Sequence, residues 1–170
     1  MKQRRVVVTG IGAITPIGNN LKDFWASLIE GKSGAAPITL FDATNFKTKF
    51  ACEVKDFVPT EFIDRKEARK LDRFCQFAVV VADQAFKDSG LVQEKIDGDR
   101  AGVIWGSGIG GMTTFYTESV NFGTGNGTPR FNPFFIPKLI SDIPAGHISI
   151  KYGFRGPNFT TVSACASSSH

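Results

Sequence analysis

In the stretch Asn158-Phe-Thr-Thr-Val-Ser-Ala-Cys165-Ala-Ser-Ser-Ser-His170, an alternating run leads directly into a cysteine flanked by two alanines. Residues 158–164 are predicted to form a strand, and the small neighbours of Cys165 permit a cramped turn into a helix. A helix N-terminus favours a thiolate, and its free amides can stabilise an oxyanion. Cys165 is therefore a candidate nucleophile, although an inert buried cysteine is the commoner explanation of this spacing.

Three further strands and several helices are predicted upstream of this stretch. The runs at 5–9 and 101–105 are typical of buried strands, and residues 50–54 of an edge strand. Helices are predicted from Asn20 to Gly31, from about Asp64 to Gly90, from about Thr113 to Asn121 and from about Pro137 to Gly153. In the last of these, Pro144 is expected to break or kink the helix and Asp142 to cap a second segment. The resulting β-α-β-α-β order predicts an α/β fold with a mainly parallel sheet and layered helices.

Composition excludes several classes of protein. The 170 residues are 42% hydrophobic and 21% charged, which suits one globular domain rather than a disordered chain. Three cysteines are too few for a disulfide scaffold, and no apolar run is long enough for a membrane helix or a signal peptide. The net charge of +4 is too small to indicate a nucleic-acid partner. We therefore expect a cytoplasmic protein that binds neither membrane nor nucleic acid.

A basic stripe follows from the helix predicted over 64–89. At 100° per residue, four cations fall within about 100° of one another on that helix. These cations are Lys66, Arg69, Lys70 and Arg73. A solvated helix face is the common explanation, and a docking surface for an acidic partner is the alternative.

The glycine-rich turn Gly106-Ser-Gly-Ile-Gly-Gly111 fits the GxGxxG pattern and follows a predicted strand. A dinucleotide site, and with it a nucleotide-dependent oxidoreductase, is therefore a rival hypothesis. No acidic residue ends a strand about 20 residues later, where residues 121–130 instead predict a flexible glycine-rich loop. This absence disfavours the nucleotide hypothesis.

The segment 158–170 resembles the active-site segment of β-ketoacyl-[acyl-carrier-protein] synthases of type I/II. The resemblance is collinear through five other segments, at residues 6–18, 65–74, 106–111, 133–137 and 145–157. It implies the thiolase-type fold, of which residues 1–170 would be an incomplete N-terminal half that ends just after the nucleophile. It also implies roles for individual residues.

By this resemblance, Cys165 accepts an acyl chain as a thioester, which then condenses with a malonyl thioester in fatty acid biosynthesis. Gly108 and Ile109 border the acyl pocket, and Phe135 lines the pocket of a dimer partner. No metal or cofactor is implied.

The same resemblance places Lys66, Lys70 and Arg130 at a docking surface for an acidic acyl carrier protein. It assigns two histidines, a lysine and a further glycine-rich loop to a C-terminal half. His170 lies about 140° from Cys165 on a helix, and His147 is interpreted as a packing residue, so neither is a convincing base. We therefore expect residues 1–170 alone to be inactive. A non-catalytic subunit of the same fold is an alternative, but such subunits typically lack the cysteine.

Overall fold

The computed structural model describes residues 4–125 and 130–170, which fall into two compact units. One unit contains residues 4–58 with Asp83–Gly90, and the other contains Pro59–Ala82 with Leu91–His170. Among the helices of the described residues, none has the length and apolar character needed to cross a bilayer. Residues 126–129 of the predicted glycine-rich loop lie outside the described ranges.

The described residues form six α-helices and four short strands. The helices are α1 (Leu21–Ile29), α2 (Arg65–Lys70), α3 (Arg73–Asp88), α4 (Met112–Thr124), α5 (Phe135–Leu139) and α6 (Ile143–Tyr152). The strands are β1 (Ala36–Pro37), β2 (Phe50–Ala51), β3 (Val103–Gly106) and β4 (Asn158–Thr161). Short 3₁₀ segments connect them, and the last of these spans Ala164–Ser169.

Helix α1 and the edge strand of the first unit agree with the sequence predictions. The Asn20 side chain caps α1 by accepting a hydrogen bond of 2.9 Å from the Asp23 amide. Gly31 follows the helix with a φ of 68°, which an L-residue adopts only at a cost. Strand β2 pairs antiparallel with β1.

The strand predicted over 5–9 is wrong for this structure. Val6, Val7 and Val8 are 95%, 64% and 81% exposed, and none of the described strands pairs with them. A β-branched run supplies strand propensity but cannot supply the hydrogen-bonded neighbour that a strand requires. Side chains of α3 hold the chain just downstream, where Asp88 accepts from the amide of Ile11 at 2.9 Å.

A parallel pair of strands lies at the centre of the second unit and confirms the predicted α/β fold class. Strands β3 and β4 run parallel, in a register from Val103↔Asn158 to Gly106↔Thr161. Helices α4, α5 and α6 form the crossover between them. Helix α6 covers one face through a buried cluster of Val103, Ala145 and Ile148. This pairing brings the carboxyl ends of two strands together.

The single helix predicted over 64–89 is broken into α2 and α3, so that prediction is wrong. Leu71 is buried and extended (φ −107°, ψ 141°), which ends α2. The buried carboxylate of Asp72 accepts from the Phe74 amide at 3.2 Å, as an N-cap does. It also accepts from the amide and hydroxyl of Thr114, at 2.8 and 2.6 Å. Asp72 therefore starts α3 and fastens it to α4.

Pro144 produces no kink, because it occupies the first turn of α6. The proline is fully buried there, and Asp142 precedes the helix without a side-chain capping bond. A second buried cluster of Leu71, Cys75 and Val79 packs against Ile143 at the start of α6. The proline thus marks a helix start rather than a break.

We expect the substitution Asp72→Asn to lower the free energy of unfolding by about 2 kcal/mol, because an amide group cannot replace every accepting oxygen of this buried carboxylate. Urea denaturation measures the change. The matched control is Asp142→Asn, because the Asp142 side chain is exposed and makes no capping bond. This control should lower the free energy of unfolding by less than about 0.5 kcal/mol. Equal losses in the two variants would contradict the role given to Asp72.

Candidate active site

Cys165 lies just beyond the carboxyl end of β4, on a sharp turn. Residues 163–167, the cysteine turn, begin with Ser163 at φ −147° and continue with Ala164 at φ 47°. The Cys165 side chain is exposed. Instead of the α-helix expected after the cysteine, the chain forms the six-residue 3₁₀ segment Ala164–Ser169. Ligand and catalytic sites of parallel sheets occur at this end of the strands.

The glycine turn, residues 106–111, packs against the cysteine turn. The Ser107 amide donates to the Thr161 carbonyl at 3.2 Å, which extends the strand pairing by one bond. A Cβ atom at Gly106 would lie 2.7 Å from the Ser167 carbonyl oxygen, and one at Gly108 would lie 3.4 Å from that of Ala164. The structure therefore brings Gly108 to the cysteine turn, with the exposed Ile109 side chain beside it in the chain.

The last two glycines of the glycine turn pack closely against α5. Gly110 has a φ of 90°, and a Cβ atom at Gly111 would collide with the Lys138 carbonyl. The Gly111 amide donates to the Leu139 carbonyl at 2.9 Å. A phosphate cradle needs such amides to be free for the ligand. This engagement argues against the dinucleotide hypothesis.

Phe135 is the first residue of α5 and belongs to an aromatic cluster. Its ring centroid lies 5.7 Å from that of Phe131, which in turn lies 5.3 Å from that of Phe122 on α4. Arg130, the first described residue after the gap, is exposed.

Two of the predicted docking cations lie on α2. Lys70 forms an ion pair of 2.7 Å with Glu67 one turn away, whereas Lys66 is exposed and has no ion pair within the described residues. Arg73 does not share their helix, because the break at Leu71 places it on α3 with its guanidinium 4.9 Å from the centroid of Phe77. The predicted four-residue stripe is therefore wrong at Arg73.

A cationic cavity adjoins α2 and was not foreseen. Arg65 and Arg69 line this surface cavity of 420 Å³ together with Lys138 of α5. Helical spacing indicates that Arg65 and Arg69 are neighbours, but only the tertiary fold brings Lys138 to them. The cavity adds positive charge beside the predicted docking residues.

The two histidines line different cavities. His147 lines a 250 Å³ cavity between α2 and α6, and burial lowers its pKa below the ordinary 6.5, while Glu67 opposes that shift and Lys70 reinforces it. His170 is exposed at a 300 Å³ cavity that Trp105 and Thr161 also line. Within the described residues neither histidine hydrogen-bonds to Cys165, and no group of three His, Cys, Asp or Glu side chains is arranged to hold a metal.

The three cysteines occupy distinct environments, which gives a direct test of the site. Cys75 is fully buried, and burial aided by the nearby Asp72 carboxylate raises its pKa to about 12. We expect iodoacetamide at about pH 8 to alkylate the exposed Cys52 and Cys165 but not Cys75, because roughly one Cys75 thiol in ten thousand is ionised there. Peptide mass spectrometry measures each site, with a urea-unfolded sample as the control in which all three should react. Labelling of Cys75 in the folded protein, or protection of Cys165, would contradict this geometry.

Known proteins share both the sequence and the fold of this chain. The sequence model described as "Beta-ketoacyl synthase, N-terminal domain" matches residues 3–170. The 3-oxoacyl-[acyl-carrier-protein] synthase 2 of Synechocystis sp. is 46% identical over 170 residues, and that of Coxiella burnetii is 45% identical over the same length. Each comparison covers 100% of this chain and 41% of the relative, so the chain spans about two fifths of the relatives' length.

Solved ketosynthase structures have the same fold. "The ishigamide ketosynthase/chain length factor" superposes with a TM-score of 0.84 at 28% identity, covering 94% of this chain and 40% of that one. The structure of a type II polyketide acyl-carrier protein "in complex with its ketosynthase" contains a chain that superposes with a TM-score of 0.75 at 26% identity, covering 97% of this chain and 43% of that one. These similarities confirm the thiolase-like fold. The chain belongs to the β-ketoacyl synthase family and corresponds to its N-terminal domain.

Proposed function

We propose that this chain carries the acyl-accepting nucleophile of a β-ketoacyl-[acyl-carrier-protein] synthase that elongates fatty acids. The observation that supports this most is the exposed thiol of Cys165 on a turn at the carboxyl end of a parallel strand. Relatives at 45–46% identity are 3-oxoacyl-[acyl-carrier-protein] synthases, and covalent transfer of an acyl group needs an activated nucleophile.

The proposed reaction has two covalent steps. First, the Cys165 thiol loses its proton, and its sulfur attacks the carbonyl carbon of an acyl thioester. The carbon–sulfur bond to the carrier breaks, and the departing carrier thiolate takes up that proton. Second, a malonyl thioester loses CO2, its carbanion attacks the acyl carbon on Cys165, and the thiolate of Cys165 is released. Both steps build negative charge on a thioester oxygen, which amide donors stabilise. The Ala166 amide already donates to Ser163 at 3.0 Å, so the amide of Cys165 itself is the candidate donor in the cysteine turn.

Substrate contacts are assigned to the residues around the cysteine turn. Gly108 packs against Ala164, and its lack of a side chain leaves the approach to Cys165 open. The exposed Ile109 is proposed to border the acyl chain. Phe135 is proposed to line the pocket of the partner in a homodimer, a role supported by its place in an aromatic cluster.

The rest of a protein of the relatives' length is proposed to complete the site. One face of the β3–β4 pair is covered by α6, but Ile104 and Phe159, which are register partners, are 61% and 48% exposed on the other. Parallel sheets are normally covered on both faces. We assign this cover, and the histidines and lysine needed for decarboxylation, to sequence that residues 1–170 do not contain. Residues 1–170 alone should therefore not condense. All three cysteines are unbridged, which suits the cytoplasm.

Cys165 should gain the mass of an acyl group when a protein of the relatives' length that carries this segment is incubated with an acyl thioester. Intact mass spectrometry and peptide mapping locate the adduct, and Cys165→Ala should abolish both the adduct and condensation with malonyl thioester. Cys52→Ala is the control, because it removes an exposed thiol of the same chain without touching the cysteine turn. If the enzyme condensed its substrates while Cys165 stayed unmodified, the proposed function would be contradicted.

The carrier is proposed to dock on α2 and Arg130, because acidic carriers complement the exposed Lys66 and the adjoining cationic cavity. We expect Lys66→Glu to weaken carrier affinity about 5-fold, as suits a partly exposed charge pair. Glu67→Gln should strengthen it, because Lys70 is then released from its ion pair. Lys95→Glu makes the same charge change as Lys66→Glu on another exposed segment and serves as the control. Titration calorimetry at low salt measures the affinities, and equal effects of the two charge reversals would rule out this docking surface.

A further inference from the structure

The cysteine turn contains a residue in a strained, left-handed backbone conformation. Ala164, immediately before Cys165, has a φ of 47° and is not a glycine. The left-handed region costs an L-residue about 1–2 kcal/mol, so surrounding contacts must hold it in place. The question is which contacts of the described residues do so.

The hydroxyl of Ser167 bridges the two sides of this strained residue. The Ser163 amide donates to Ser167 Oγ at 2.9 Å, and Ser167 Oγ donates to the Ala164 carbonyl at 2.8 Å. Ser167 is only 4% exposed, so water does not compete readily for these bonds. The Ser163 amide precedes the strained residue and the Ala164 carbonyl follows it, in the peptide group that joins Cys165, so the hydroxyl ties together the chain that leads into Cys165.

A second hydroxyl ties the bridge to the sheet. Thr161, the last residue of β4, donates from Oγ1 to the Ser167 carbonyl at 2.6 Å. Its neighbour Thr160 offers a contrast, because its buried hydroxyl has no hydrogen-bond partner among the residues that the structure describes. Thr161, Ser167 and Ala164 thus form a continuous chain of hydrogen bonds from the sheet to the residue before the thiol.

We propose that Ser167 and Thr161 are positioning residues, whose hydroxyls hold the strained cysteine turn so that the Cys165 thiol and amide face an incoming thioester together. The inference rests on the proposed acyl transfer and names the residues that aim its nucleophile. Neither side chain is proposed to touch the acyl group. Their effect is on the geometry of attack, where a displacement of about 1 Å can slow a reaction by about 100-fold.

Four variants in a protein of the relatives' length test the proposal. Ser167→Ala removes the bridging hydroxyl, and Thr161→Val removes the second hydroxyl with little change in shape. Thr161→Ser keeps a hydroxyl and serves as the rescue variant. Thr160→Val makes the same chemical change on the adjacent residue, whose hydroxyl has no partner, and is the matched control.

The readout is the rate constant and the half-saturating concentration for acylation of Cys165 by an acyl thioester, followed by mass spectrometry. We expect Ser167→Ala and Thr161→Val to lower the rate constant at least about 10-fold with little change in the half-saturating concentration. These variants should still bind the thioester but no longer hold the Cys165 thiol in the geometry of attack. Thr161→Ser and Thr160→Val should remain close to the parent protein. Iodoacetamide labelling of the buried Cys75 gauges unfolding in the same samples, and it should stay as slow as in the parent.

The outcomes separate the two proposals. If the parent protein does not acylate Cys165, the proposed function fails and the positioning proposal fails with it. If the parent acylates but Thr161→Val is as fast as Thr160→Val, only the positioning proposal is overturned. A loss of rate that tracks faster Cys75 labelling, and that Thr161→Ser does not rescue, assigns the hydroxyls to stability and also overturns it. If Ser167→Ala fails to fold, the Thr161 pair decides the matter alone.

Discussion

The parallel pairing of β3 with β4 is the constraint on which the candidate site depends. Because the strands run in the same direction, both chains must turn at the same edge of the sheet, one through glycines and one through the cysteine turn. The backbones then approach so closely that the Ser167 carbonyl oxygen excludes a side chain at Gly106. Cys165 is exposed in spite of this crowding, and it directly follows Ala164, whose φ is 47°.

The buried carboxylate of Asp72 shapes the neighbouring surface in a comparable way. It caps α3 and accepts two hydrogen bonds from Thr114, so the chain cannot continue as one helix from α2. The break leaves the cations of α2 on a short helix of their own and turns Arg73 toward Phe77. A single buried hydrogen-bonding group therefore determines which positive charges share the surface of α2.

Sequence reasoning predicted the features that depend on local chemistry. The cap at Asn20, the glycine stop at Gly31 and the strand that leads to Cys165 all follow from residue types at fixed offsets. It was wrong where a distant partner decides the outcome: residues 5–9 have strand propensity without a paired strand, and the break at Leu71 depends on a hydrogen bond to Thr114, 42 positions beyond Asp72. The serine at 167 carried no local signal, since it is one of three consecutive serines and only burial distinguishes it.

The three cysteines show why residue type alone does not assign function. Cys75 lies among apolar side chains beside a carboxylate, and burial raises its pKa to about 12, so its thiol is a packing group. Cys52 is exposed on a chain segment next to β2, with no strained turn to direct it. Cys165 combines exposure with a turn that accepts hydrogen bonds from the hydroxyls of Thr161 and Ser167, at the edge of a parallel sheet. We propose that these hydrogen bonds make the Cys165 thiol a specific nucleophile, because a thiol held in one geometry reacts with groups that reach it in the matching geometry.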